Sequence, residues 1–272
     1  MLRTSSAAEA NDWAPWYGPL ALLIAFIASL ITGVVVILVG HLAGSSLAHP
    51  TPAVTDIGTV FEEAGFVLTA LWVASWIARP RPVQFGLRRP TQARLGRVAL
   101  VVIGAYVTFL LLSALWTVVV SHGASEKYLV KDVGARAGVL GVLASCLVLC
   151  VVAPFCEEFL FRGFIFGALR NWRGPAVGAL ITGVLFGAIH VGSAPVVDLV
   201  PLAIFGVVLC GLRQWSGSLY PGIALHALNN SAALVVTAGW SFVAFLAIFA
   251  SSLLFIGFVV LRAEDQLQLR LW

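Results

Sequence analysis

At residues 156–162 the sequence is Cys-Glu-Glu-Phe-Leu-Phe-Arg, so two carboxylates and one guanidinium fall within six residues. Apolar runs flank this stretch on both sides, from Gly138 to Phe155 before it and from Gly163 to Leu169 after it. A charged side chain near the centre of a bilayer costs about 3 kcal/mol on insertion scales. Ionisable residues in such a place therefore indicate a functional site.

The composition of the whole chain indicates that this stretch lies in a membrane. Of the 272 residues, 60% are hydrophobic and only 10% are charged, whereas soluble domains carry about 25% charged residues. These values predict an all-α polytopic membrane protein. The net charge of +4 does not indicate a nucleic-acid partner, because the positions of the cations are explained by membrane topology.

Eight apolar segments are long enough to cross a bilayer, which takes about 20 residues for a helix. They cover residues 18–42, 58–78, 97–120, 138–169, 175–192, 196–213, 218–236 and 240–262. The fourth segment is longer than one crossing requires and contains Pro154, which is expected to kink its helix. We divide the single membrane domain into residues 1–137 with helices 1–3, residues 138–236 with helices 4–7 and the polar motifs, and residues 237–272 with helix 8 and a short tail.

The cations are distributed unevenly between the loops. Most of the 16 Lys and Arg residues fall in alternate connections, after the second, fourth, sixth and eighth segments, while the opposite side holds Lys127, Lys131 and Arg136. The positive-inside rule then places both termini in the cytoplasm. We expect a multi-pass protein of a cell membrane, and the short loops favour a prokaryotic plasma membrane.

The three charges of the central stretch divide into a pair and a single carboxylate. In an α-helix Glu158 and Arg162 are one turn apart with the acid first, an order that favours an ion pair. Glu157 is rotated by about 100° and does not share that partner. An unpaired carboxylate suits a general base or acid. The alternative is that both glutamates serve only helix packing through a charge network.

Later apolar segments carry further polar residues. His190 ends the fifth segment, and it lies about 22 Å from the cytoplasmic side, close to the depth of about 20 Å for Glu157. His226 and Asn230 are four residues apart on the seventh segment, and both can donate hydrogen bonds to an oxyanion. The structural alternatives are a satisfied core histidine for His190 and an interhelical hydrogen-bonding pair for the other two.

Three motifs follow one another on successive segments. They are Glu157-Glu158-x-x-x-Arg162, Phe186-x-x-x-His190 and His226-x-x-x-Asn230. In this order the motifs resemble those of the CPBP family, which comprises CAAX-type prenyl endopeptidases and bacteriocin-processing or immunity proteins, also called Abi proteins. The resemblance covers roughly residues 138–236.

The resemblance implies an eight-helix intramembrane endopeptidase that opens toward the cytoplasm. In this family's mechanism, Glu157 and His190 would activate a water molecule. His226 and Asn230 would hold the oxyanion. The supporting residues would be Glu158, Arg162 and Phe186.

The donor types also leave a metal site open. Zinc held by Glu157, His190 and His226 is the alternative, since zinc takes histidine and carboxylate ligands. The sequence contains no HExxH spacing, and His226 has an expected partner in Asn230. We therefore favour a reaction without a cofactor.

Two other functions fit a membrane protein with these motifs. One is a non-catalytic bacteriocin-immunity or scaffold protein of the same fold. The other is a proton-coupled transporter, since intramembrane Glu, His and Arg also serve in transporters, although the sequence shows no inverted repeat.

The expected partners are a peptide or protein substrate and membrane lipids. A lipidated, C-terminal CAAX-like peptide is one candidate substrate. The basic loop at residues 80–90 is a candidate contact for anionic headgroups. The sequence does not indicate an oligomeric state.

One further acid pair, Glu62-Glu63, lies near the predicted outer start of the second segment. No arginine follows it at helical spacing. We interpret this pair as interfacial charges.

Overall fold

The computed structural model describes residues 13–90, 95–120 and 138–269, with side chains described as far as Phe258. This part of the chain is helical and contains no β-strand. Its α-helices are α1 (Tyr17–Leu42), α2 (Pro52–Ala74), α3 (Pro82–Phe85), α4 (Leu95–Val119), α5 (Gly138–Leu147), α6 (Ala153–Glu158), α7 (Phe166–Ile189), α8 (Leu199–Ser216), α9 (Tyr220–Ala238) and α10 (Phe242–Leu269). Two π-helical segments, π1 (Val148–Val152) and π2 (Phe159–Ile165), flank α6.

The lengths and apolar character of these helices confirm a polytopic all-α membrane protein. Helix is present at each of the eight predicted segments. Five helical runs in the described residues are long and apolar enough to cross a membrane: Tyr17–Leu42, Pro52–Ala74, Leu95–Val119, Gly138–Ile189 and Val196–Ser216. The predicted cytoplasmic termini, and Lys127, Lys131 and Arg136 of the predicted outer loop, lie outside the described residues.

Helix α2 begins six residues earlier than its apolar segment suggests. Thr51 precedes it in an extended conformation and Pro52 occupies the first turn, where a proline fits because no intrahelical donor is needed. Asp56 is stabilised inside the helix, since the Ser145 hydroxyl of α5 donates to its carboxylate at 2.8 and 3.1 Å. The earlier start leaves Glu63 about 16 Å along the helix, and Glu63 is 3% exposed, so the interpretation as an interfacial charge does not hold for Glu63, whereas Glu62 is exposed.

The central segment stays helical through Pro154. The backbone on the N-terminal side of Pro154 stays right-handed helical at Val152 and Ala153. The Ala153 N–H donates to the Val148 carbonyl, five residues back, which is the π-helical pattern. Because the turn before Pro154 is widened, the missing N–H of the proline does not interrupt the helix. The helix continues through the motif.

The long helical run is broken where the sequence predicts the turn between the fourth and fifth segments. Gly174 has φ 83° and ψ 170°, a left-handed φ that side chains with a Cβ rarely adopt. Pro175 then begins the second arm of α7. This break sends α7 back alongside α8, against which it packs.

Helices α7 and α8 approach closely through glycines. A Cβ added at Gly183 would lie 2.5 Å from the Val207 side chain and 2.7 Å from the Ala203 carbonyl oxygen. A Cβ at Gly187 would lie 2.5 Å from the Leu199 carbonyl oxygen. Small residues let membrane helices pack at such distances, and this packing fixes the arm that ends in His190.

The loop at residues 80–90 packs beneath π2. Phe85 of α3 is 1% exposed, and its ring stacks on Phe159 with centroids 4.4 Å apart. Trp13 covers the Phe85 ring from another side at 4.9 Å. The Leu219 N–H donates to the Gly86 carbonyl at 2.9 Å, so this loop joins the start of α9 to the helix that carries the acidic motif.

Candidate active site

The predicted ion pair of the central motif is present and sealed from solvent. Arg162 Nη1 donates to Glu158 Oε1 at 2.8 Å, and the two side chains are 0% and 1% exposed. Arg162 Nη2 also donates to the Gly206 carbonyl of α8 at 3.3 Å. The guanidinium carbon lies 4.3 Å from the Phe186 ring centroid. A buried ion pair depends on such additional contacts, because both charges have lost their water.

The same carboxylate orients His226 of α9. Glu158 Oε1 lies 3.1 Å from His226 Nδ1. An ionised carboxylate only accepts hydrogen bonds, so Nδ1 carries the hydrogen. His226 Nε2 then faces Glu157, whose Oε2 is 3.8 Å away. One imidazole ring thus stands between the two neighbouring carboxylates.

Gly222 makes room for this arrangement. A Cβ at Gly222 would lie 2.9 Å from Glu158 Oε2. Gly222 precedes His226 by one turn of α9, so the two residues share a face. The sequence analysis did not single out Gly222. It could have been identified as a glycine that lies one helical turn before a candidate histidine.

His190 is held at the end of α7. Its Nδ1 lies 2.7 Å from the Phe186 carbonyl oxygen. A carbonyl only accepts, so Nδ1 is protonated, and in the neutral ring Nε2 is left as an acceptor. The Phe186 ring lies 5.0 Å from the His190 ring and 5.8 Å from the His226 ring. The Phe186 ring therefore packs near both histidine rings.

The acid pair of α2 belongs to the same region. Helix α2 packs against α6 and π2. Glu62 interacts electrostatically with both Glu157 and His190. Glu63 is 3% exposed and interacts electrostatically with Glu157. The sequence could have indicated that this pair lies within the helix, since Thr51-Pro52 marks the start of an apolar helix and the two acids come ten residues later.

Asn230 has a different partner from the one expected. Its side-chain N–H donates to the Leu149 carbonyl of π1 at 2.9 Å, while His226 contacts the glutamates. Continued to Leu149, the π-helical pattern would require the N–H of residue 154, which is a proline and has none. Asn230 supplies the missing donor. The amide nitrogen has a second N–H, which stays available to a bound molecule.

The donor groups do not fit the zinc alternative. Within the described ranges no group of three or more His, Cys, Asp or Glu side chains is arranged to hold a metal ion. The Nδ1 atoms of both histidines are engaged, by Glu158 and by the Phe186 carbonyl, so Nε2 is the ring nitrogen that each has left for another partner.

Comparison with known proteins covers the part of the chain that carries the three motifs. Residues 139–232 match the family model described as "Type II CAAX prenyl endopeptidase Rce1-like". An "Uncharacterized 24.3 kDa protein" of Escherichia coli is 33% identical over 155 residues, which are 56% of this chain and 66% of that protein. The UPF0177 protein YxdF of Lactococcus lactis subsp. lactis is 32% identical over 93 residues, which are 34% of this chain and 50% of that protein. No solved structure matches.

Proposed function

The chain belongs, through residues 139–232, to the Rce1-like family of type II CAAX prenyl endopeptidases, and from this membership we propose that it is an intramembrane endopeptidase in which Glu157 activates a water molecule. The relatives fit the wider CPBP family. The family model matches only part of the chain, and the matched regions cover 66% and 50% of the two relatives. The proposed reaction therefore rests on the arrangement of the site residues.

The observation that carries the proposal is the unequal environment of the two neighbouring glutamates. Glu158 is 0% exposed and is bonded to both Arg162 and His226. Glu157 is 8% exposed, and its Oε2 lies 3.8 Å from His226 Nε2, beyond hydrogen-bond distance. Glu157 is therefore the less enclosed and less engaged of the two carboxylates, and we assign it the role of accepting the proton from water.

In the proposed reaction the water lies between Glu157 and His190. It donates one hydrogen to the Glu157 carboxylate and the other to His190 Nε2, which the Phe186 contact leaves as an acceptor. Glu157 removes its proton as the water oxygen bonds to the peptide carbonyl carbon. The C–N bond then breaks, and Glu157 returns the proton to the leaving amine.

The developing negative charge on the carbonyl oxygen requires donors. His226 supplies one from Nε2 in the protonated ring, whose Nδ1–H is held by the Glu158 carboxylate. The second N–H of Asn230 is the other proposed donor. Loss of one such donor typically lowers kcat by about 10²–10³-fold.

The proposed substrate is a peptide bond in a membrane-associated protein, with a lipidated CAAX-like C-terminus as the class that the family name suggests. We propose that the chain is a multi-pass protein of a cell membrane and is surrounded by membrane lipids. We propose no metal cofactor and no nucleic-acid partner.

The test uses detergent-purified protein and a peptide panel containing farnesylated CAAX peptides and unlipidated apolar peptides, each with and without a chelator. Glu157→Gln and His190→Ala are expected to lower kcat by about 10²–10⁴-fold. Ser252→Ala is the matched control, because its buried hydroxyl bonds within α10 to Ile248. Wild-type turnover in Glu157→Gln refutes the mechanism, and loss of turnover with chelator refutes the absence of a metal.

A further inference from the structure

The acids of α2 lie outside the three motifs and outside the residues that match the family model. Glu62 and Glu63 are on α2 (Pro52–Ala74), whereas the match begins at residue 139. What they do in the site must be inferred from their own surroundings. The more enclosed of the two is Glu63.

Glu63 is a buried carboxyl group with an unsatisfied oxygen. Its residue surface is 3% exposed, and Oε2 has no hydrogen-bond partner within the described part of the chain. It lies about 16 Å along α2, well past the first turns. A carboxylate in such a position would carry a large desolvation penalty unless a cation or a proton neutralised it.

The neighbours of Glu63 are acids. In the described structure its strongest charge interactions are with Glu157 and with Glu62. Helix α2 packs against α6, the helix that carries Glu157, and Cys156, which directly precedes Glu157, interacts electrostatically with both Glu63 and Glu157. Two carboxyl groups that interact across a low-dielectric region cannot both be ionised at low cost.

The cations of the site do not remove this conflict. Arg162 is bonded to Glu158 at 2.8 Å, and His226 Nδ1 is bonded to the same carboxylate. His226 Nε2 faces Glu157 rather than Glu63. These cations face the motif glutamates and not Glu63, so a proton is the remaining means of neutralising Glu63.

We propose that Glu63 carries this proton and positions Glu157, donating its O–H toward the Glu157 carboxylate directly or through one water molecule. Glu157 is the ionised member because its side chain is 11% exposed and lies 3.8 Å from an imidazole nitrogen. The inference rests on the proposed function in one respect, that Glu157 is the base. The hydrogen bond holds that carboxylate in place.

Infrared difference spectroscopy tests the protonation without requiring activity. Subtracting the spectrum of Glu63→Gln from that of the wild type at neutral pH is expected to show the loss of one carboxylic-acid C=O stretch. Glu62→Gln, the exposed neighbour on the same helix, is the matched comparison and is expected to lose ionised-carboxylate bands. Loss of ionised-carboxylate bands in Glu63→Gln would overturn the proposal.

Kinetics test the positioning role. Glu63→Leu removes the donor and is expected to lower kcat by about 10–100-fold with KM unchanged, the usual size of effect for a lost orienting partner. Glu63→Gln restores an N–H donor and is expected to recover most of that loss. Equal loss in both variants, or wild-type kcat in Glu63→Leu, refutes positioning through a donated hydrogen bond.

The two experiments separate this inference from the proposed function. If the wild type cleaves no peptide of the panel, the proposed function fails, while the infrared difference still shows whether Glu63 is protonated. If the wild type cleaves and the acid band is absent, only the present inference fails.

Discussion

Replacing Arg162 with leucine removes the cation from the most enclosed part of the site. The variant loses the 2.8 Å bond to Glu158, the 3.3 Å bond to the Gly206 carbonyl and the contact with the Phe186 ring. Glu158, which is 0% exposed, keeps its contact with His226 but no longer has a permanent cation beside it.

The size of the effect follows from the burial of the pair. Removing one partner of a buried ion pair costs about 3–5 kcal/mol, because the remaining charge is left without compensation. Glu158→Leu is expected to cost a similar amount, since it leaves the Arg162 guanidinium buried. Replacing both partners with apolar residues is often nearly neutral, so Glu158→Leu/Arg162→Leu is expected to be at least about 2 kcal/mol more stable than either single variant.

The assay is unfolding of the wild type, both single variants and the double variant in one detergent, analysed as a double-mutant cycle. The double variant is expected to regain stability without regaining peptidase activity, because His226 has lost the carboxylate that orients it. If the double variant is destabilised by the sum of the single effects, the two residues do not act as a compensating pair and the reasoning is refuted.

Two further predictions concern packing around the site. Gly222→Ala places a Cβ 2.9 Å from Glu158 Oε2. Because Glu158 is held by two partners, we expect kcat/KM to fall at least about 10-fold, the smallest loss expected of a displaced orienting partner. The control Gly104→Ala has open space at its Cβ and should leave kcat/KM unchanged. Phe85→Ala removes the ring stacked on Phe159 and is expected to lower the free energy of unfolding by about 3–5 kcal/mol; an unchanged unfolding midpoint would show that the loop at residues 80–90 does not support π2.

Features that depend on local spacing could be predicted from the sequence. The apolar segments follow from composition and length, and the turn at Gly174-Pro175 follows from residue types that end helices. The Glu158–Arg162 pair follows from a separation of four residues with the acid first. Each of these depends on the chain within a few residues of the feature.

Features that depend on packing between distant segments could not be predicted in this way. The partner of Asn230 is the carbonyl of Leu149, which is free because Pro154 lies within the π-helical register. No spacing within the His226–Asn230 motif carries that information. The start of α2 was missed because Asp56 is polar, and its partner, the Ser145 hydroxyl of α5, lies 89 residues away in the sequence.

Two π-helical turns flank α6, which carries the glutamates of the acidic motif, so the direction of each side chain here depends on the width of those turns as well as on residue spacing. A widened turn holds one residue more than an α-helical turn, so the residues that follow it are rotated by about 100° relative to a regular helix. Deleting one residue from Phe159–Ile165 would let the widened turn close into an α-helical turn, so the residues on either side of it would keep their faces. The same deletion in a regular part of the helix would rotate everything after it by about 100°. A related chain with one residue fewer in π2 would therefore still present the same faces to α8 and α9, and an alignment gap there is compatible with an intact site.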